Sequence, residues 1–166
     1  HAKSSWQDSS LADFQRPLNA RGRRAAGLMG RFIKKERLKP DLVLSSPAVR
    51  ARDTIRIVLE SAGLAVAVRY EPDIYLASCA RLLEVVSQIE NDRHRVVVVG
   101  HNPGMEELIH RLTGVARPMP TAALANVALD VEQWTEVSAR NCGHLEWLVS
   151  PKQLEILSLM PKRERS

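Results

Sequence analysis

Apolar residues recur along this chain with two periods, and the switches between them mark out its elements. From Ala20 to about Leu38 they return every three to four positions, with Asn19 ahead as a cap and Lys39-Pro40 behind as a stop, which predicts an amphipathic helix. Asp41–Ser45 is then an apolar run of strand length. Ser46-Pro47 predicts a helix start, serine capping and proline at the first helical position, with the helix running through Arg50, Thr54, Ile57 and Val58 to about Ser61 and Gly63 ending it. A second cycle predicts a strand over Ala65–Arg69 and a helix over Cys79–Ile89, with Leu82, Leu83, Val86 and Ile89 on one face.

Arg95–Gly100 is the clearest strand, because its four consecutive valines suit burial on both faces, as in a parallel sheet covered by helices. Pro103 to about Leu112 predicts the next helix. Leu124–Asp130 and Leu145–Val149 read as strands, with a polar loop or hairpin between them. Strands alternating with helices predict an α/β fold, a three-layer sandwich with a mostly parallel central sheet. There is no repeat and no linker, so residues 1–166 read as one domain, and Pro161–Ser166 reads as a solvated tail.

Composition narrows the picture only a little. Hydrophobic content of 45% and charged content of 26% are ordinary globular values. No apolar run reaches the ~20 residues of a membrane span, and Cys79 and Cys142 form no C-x-x-C pair, so the expectation is a cytoplasmic protein with reduced thiols and no membrane association. His94, His101 and His110 lack zinc-ligand spacing, so no metal and no cofactor is expected. The net charge of +5 comes from basic residues interleaved with acids, and no nucleic-acid motif accompanies it. A basic surface with arginines reserved for an anionic ligand is the expectation, with no nucleic acid as partner.

In such sheets ligands bind beyond the carboxyl ends of the strands. Two ends here carry chemistry: Ser45-Ser46-Pro47-Ala48-Val49-Arg50, and Gly100-His101-Asn102-Pro103-Gly104. A third loop places Arg16 just before the Asn19-capped helix. Singly, Arg50 reads as a solvated helix residue, His101 as a core histidine and Arg16 as a loop residue. Together, two planar guanidinium forks, a histidine and the backbone N–H groups of helix starts behind Ser46 and Asn102 make an anion pocket.

The blocks "HAKSSW", "RPLNARG", "LVLSSPAVRARDT", "VVVVGHNPGMEEL" and "MPTAAL", in this order, resemble the histidine phosphatase superfamily, specifically its SixA-type phosphohistidine phosphatase branch. The resemblance implies a phosphoglycerate mutase-like fold and a metal-independent phosphatase. His1 matches the phosphate-accepting nucleophile, His101 the second catalytic histidine as imidazolium or donor, and Arg16 and Arg50 the phosphate-binding arginines, to which Asn102 is added as a phosphate-binding candidate at its helix start. It also implies a further strand of about five or six residues, ending in an arginine, ahead of His1.

Ester-cleaving members use a carboxylic acid to protonate the leaving alkoxide. Only Glu71 and Asp73 fall in the matching region, and turn residues around Pro72 are the better reading of both. An imidazole leaves more readily than an alkoxide, so the implied substrate is phosphohistidine on a partner protein of the histidine phosphotransfer type, a signalling role. A small phosphorylated metabolite, or a non-catalytic phosphate-binding module, are the alternatives.

Overall fold

The computed structural model describes residues 1–138 and 141–159, so the solvated tail expected over 161–166 lies outside the described residues. β1 (Leu42–Ser45) is buried along its whole length, as a strand covered on both faces must be. It is the centre of a three-stranded parallel sheet, between β2 (Val68–Tyr70) and β3 (Val96–Val99), with Val43 level with both Val68 and Val97. β2 starts later than the alternation predicts: the ladder registers from Val68, although the Ala67 carbonyl still accepts from Val43 N–H.

Alternation across β1 and β3 divides the core in two. Val43, Val97 and Val99 pack with α1 (Ala20–Lys35), α2 (Val49–Ala62) and Leu154 of α5 (Pro151–Leu159). Leu42, Leu44, Val96 and Val98 pack with α3 (Cys79–Ser87) and α4 (Gly104–Thr113). The result is the expected helix–sheet–helix sandwich. Asn19 caps α1 as predicted, its side chain accepting from Gly22 N–H. α2 departs from expectation by starting at Val49: Ser46 Oγ accepts from Ala48 N–H but also meets His101, so the serine serves the strand end more than the helix.

β4 (Leu124–Leu129) and β5 (Gly143–Val149) form a separate antiparallel ribbon, with a register irregularity at Asn126/Val127. The polar stretch between them holds a 3-10 turn, Trp134–Ser138, which buries Val137 completely and lets Trp134 Nε1 donate to the Arg93 carbonyl. α5 went unpredicted. Its start is a capping box, Ser150 Oγ accepting from Gln153 N–H while Gln153 Oε1 accepts from Ser150 N–H at 2.8 Å.

His1 joins the two sheets. Its backbone nitrogen donates to the Gly100 carbonyl beyond β3, and its carbonyl accepts from Ala122 N–H just ahead of β4. A continuous cavity of about 1290 Å³ is lined by His1, by β3, by β4 and by Met29 and Ile33 of α1, and reaches Arg16 and Arg50. Among the described residues no helix is long and apolar enough to cross a membrane.

Candidate active site

Four of the five residues singled out in the sequence come together at the carboxyl ends of β1 and β3. The segment after His1 is tied both to α2 and to the loop that carries Arg16. Ala2 N–H donates to Thr54 Oγ1, which itself donates to the Arg50 carbonyl, and Ser4 bridges Leu18 across the loop that carries Arg16. These contacts hold His1, the first turn of α2 and the Arg16 loop in one rigid unit.

Arg50, Arg16 and His101 are 4%, 6% and 4% exposed, so each polar head is held by defined partners and not by bulk water. Arg50 therefore differs from the solvated helix residue its position suggested. Its Nε donates to His1 Nε2 at 3.3 Å, its Nη1 to the Asp13 carbonyl at 2.6 Å, and its Nη2 to Asp13 Oδ2 at 2.9 Å, with His101 Nδ1 at 3.2 Å from the same Nη2. Arg16 donates from Nε to the Ser5 carbonyl, from Nη1 to Asp13 Oδ1 at 2.8 Å, and from Nη2 to Ser4 Oγ. The indole of Trp6, 78% exposed, lies flat against the Arg16 guanidinium, 3.2 Å from Cζ to the ring centroid.

The partners assign the tautomers, because a guanidinium can only donate and a carbonyl only accept. His101 accepts at Nδ1 from Arg50 and donates from Nε2 to Ser46 Oγ at 2.8 Å. His1 donates from Nδ1 to the Ala2 carbonyl at 2.7 Å, which leaves its lone pair on Nε2, facing Arg50. The two imidazoles lie 4.8 Å apart, centroid to centroid. Burial first, and the Arg50 charge second, push His101 down from 6.5 to about 4, so at neutral pH it is an uncharged donor and not an imidazolium.

Asn102 does not point into this cluster. Its amide nitrogen donates to Glu106 Oε1 and to the Met119 carbonyl, while Glu106 Oε1 also accepts from Met119 N–H. Both amide protons are spent on pinning the 119 loop to α4, so the Asn102 side chain stands apart from the other four candidates. Asp73 pairs with Arg81 at 3.3 Å, in keeping with a turn residue.

Two residues not foreseen complete the site. Asp13, on the 3-10 turn Asp13–Gln15, bridges both arginines and accepts from Tyr75 Oη at 2.8 Å. Burial opposes its ionisation, but the Tyr75 hydrogen bond and both arginines hold its carboxyl below the usual range. Burial and the hydrogen bond to Asp13 raise the Tyr75 phenol, and its ring stands edge-on to both Phe14 and His101. The Asp13–Arg16 spacing of three was the one local signal; Tyr75 is 62 residues away and gave none.

Residues 1–75 match the profile of the histidine phosphatase superfamily (branch 1). An uncharacterized protein of Mycobacterium tuberculosis is 34% identical over 116 residues, 70% of each chain. Phosphohistidine phosphatase SixA of Escherichia coli is 27% identical over 151 residues, 89% of each chain. A solved structure of the protein histidine phosphatase SixA complexed with tungstate superposes with a TM-score of 0.79 at 25% identity, over 93% of this chain and 95% of that one.

Proposed function

From the premise that this chain belongs to the histidine phosphatase superfamily, in its SixA-type branch, we propose that it hydrolyses phosphohistidine on a partner protein, by way of a phosphohistidine on its own His1. Membership makes it a phosphatase. The finer reading is carried by one observation: the Ala2 carbonyl holds the His1 proton on Nδ1, so Nε2 presents its lone pair beside the Arg50 guanidinium.

In the first step that lone pair attacks phosphorus while the bond from phosphorus to the substrate nitrogen breaks. The electron pair leaves on the substrate imidazole, which takes a proton from solvent. In the second step water attacks the His1-bound phosphoryl group, giving inorganic phosphate and restoring Nε2. Alignment and charge neutralisation do most of the work in such transfers. Arg16 and Arg50 supply the charge for the phosphoryl oxygens, and neutral His101, its one proton on Ser46, positions the Arg50 guanidinium through Nδ1.

Among the described residues, the state of the one carboxyl at the arginine pair supports an imidazole leaving group. Asp13 is the carboxyl that reaches the site, and it is held ionised by its partners. An alkoxide would need a proton that this carboxyl does not hold at neutral pH. A partner protein is supported by the mouth of the site, where Trp6 and Leu76 are 78% and 58% exposed, with Phe14 beside them.

The test is a trapping experiment with radiolabelled phosphoramidate, followed by turnover on a phosphohistidine protein and on an alkyl phosphate. Label is expected on the wild type and lost in His1→Ala. Preference for the alkyl phosphate by more than about tenfold, some 1.4 kcal/mol of barrier, would overturn the phosphohistidine assignment in favour of a small-metabolite phosphatase.

A further inference from the structure

Every nitrogen of the two guanidinium groups is already engaged within the chain. Arg16 bonds Ser5, Ser4 and Asp13; Arg50 bonds His1, the Asp13 carbonyl and the Asp13 carboxylate, with His101 against its Nη2. The two Asp13 carboxylate oxygens take one guanidinium each, at 2.8 and 2.9 Å. Two anionic oxygens divided between two guanidinium forks is the arrangement a phosphoryl group requires from the same pair.

Both cannot be there together without placing like charges side by side, which is strongly unfavourable in a site of this burial. One must yield, and the surroundings decide which. The arginine side chains are 7% and 5% exposed and fixed by the backbone of the 5 loop and by α2. The Asp13 side chain is 46% exposed and sits on a three-residue turn that buries none of its own residues. The edge contact of Phe14 with Tyr75 and the Arg50 Nη1 bond to the Asp13 carbonyl hold the turn's backbone inward, so that the carboxylate, once it releases Tyr75 Oη and the arginines, is free to rotate toward solvent.

We propose that Asp13 is an internal competitor for phosphate: its carboxylate occupies the arginine pair in the resting enzyme, swings toward solvent when a phosphoryl group enters, and returns to displace inorganic phosphate. This rests on the reading that Arg16 and Arg50 bind the phosphoryl group. Asp13 is then a residue that sets affinity and product release without touching the reacting atoms.

A scaffold role makes the opposite prediction, since neutralising a carboxylate that merely orients the arginines weakens anion binding. Titration of the purified chain with inorganic phosphate, by calorimetry, separates the two. Asp13→Asn, which keeps size and removes charge, is expected to bind phosphate about tenfold more tightly than wild type, with product inhibition in steady-state turnover strengthened in step. Tyr75→Phe removes one hydrogen bond from the turn, leaves both arginines, and is expected to tighten phosphate in the same direction by a smaller factor. Unchanged or weaker phosphate binding in either folded variant overturns the proposal. Wild type that binds phosphate alongside variants that bind no tighter overturns the Asp13 role alone. Wild type and both variants all binding none overturns the arginine pocket as well, an outcome the His1 trapping experiment detects independently.

Discussion

Acid should weaken this fold through His101. The ring is buried, accepts from Arg50 at Nδ1 and donates to Ser46 at Nε2. Protonation would set a second proton against the guanidinium, with no acceptor for it. The folded value near 4 against an ordinary 6.5 corresponds to about 3 kcal/mol of difference between the two protonation states. The sign follows from proton binding: as pH falls below 6.5 the unfolded chain takes up a proton at this position while the folded chain does not. Stability is therefore fully present above pH 6.5 and is lost progressively as pH falls toward 4, then loses no more from this group. Urea unfolding midpoints read from pH ~7.5 down to pH ~4.5 measure it, with His101→Gln as the comparison, since glutamine can still donate to Ser46 and does not titrate. Neighbouring groups that titrate, including Asp13 and His1, are common to both proteins, so the difference between their pH curves isolates the ring. Curves that run parallel through that interval would refute the reasoning.

Two further outcomes test the geometry. Arg50→Ala is expected to lower turnover by about two to three orders of magnitude, the cost of losing a preorganised donor at a developing charge; Arg50→Lys should recover little, because an ammonium cannot reach His1, His101 and the phosphoryl oxygens from one planar fork. Gly30→Ala places a methyl group against the Val58 carbonyl and Ser61 Cβ where α1 meets α2, and a loss of about 1–3 kcal/mol in thermal unfolding is expected, with the catalytic rate of the folded fraction unchanged.

The parallel sheet was legible because the Leu-Val-Leu of β1 and the valines of β3 suit strands covered by helices, although only β1 is buried throughout and Val96–Val98 of β3 are half-buried. Gly63, which ends α2 with a φ of 68°, was legible for an equally local reason: side chains other than glycine resist that conformation. Arg50 was not, because a residue in a first helical turn can face water or a pocket, and only the approach of His1, Asp13 and His101 decides. The direction of the Asn102 side chain was hidden for a related reason. A strand-to-helix loop places the backbone, but its amide turns toward Glu106 and the Met119 carbonyl, partners that no local pattern announces. Asp13 and Tyr75 meet across the molecule, and α5 escaped because its start, Ser150-Pro151-Lys152-Gln153, is a capping signal without a strong apolar stripe behind it.

Gly104 opens α4 with its α-carbon against the Ala77 carbonyl, so closely that a side-chain methyl there would collide with the backbone. The strand end bearing His101 and the loop bearing Tyr75 are thereby welded into one wall, fixed by main chain pressed on main chain. The Asp13–Gln15 turn opposite is held by polar contacts instead, its Asp13 carbonyl accepting from Arg50 Nη1 and its carboxylate from Tyr75 Oη. A side chain of any size at position 104 would therefore separate the His101 strand end from the Tyr75 loop, and with it the edge contact of Tyr75 on His101.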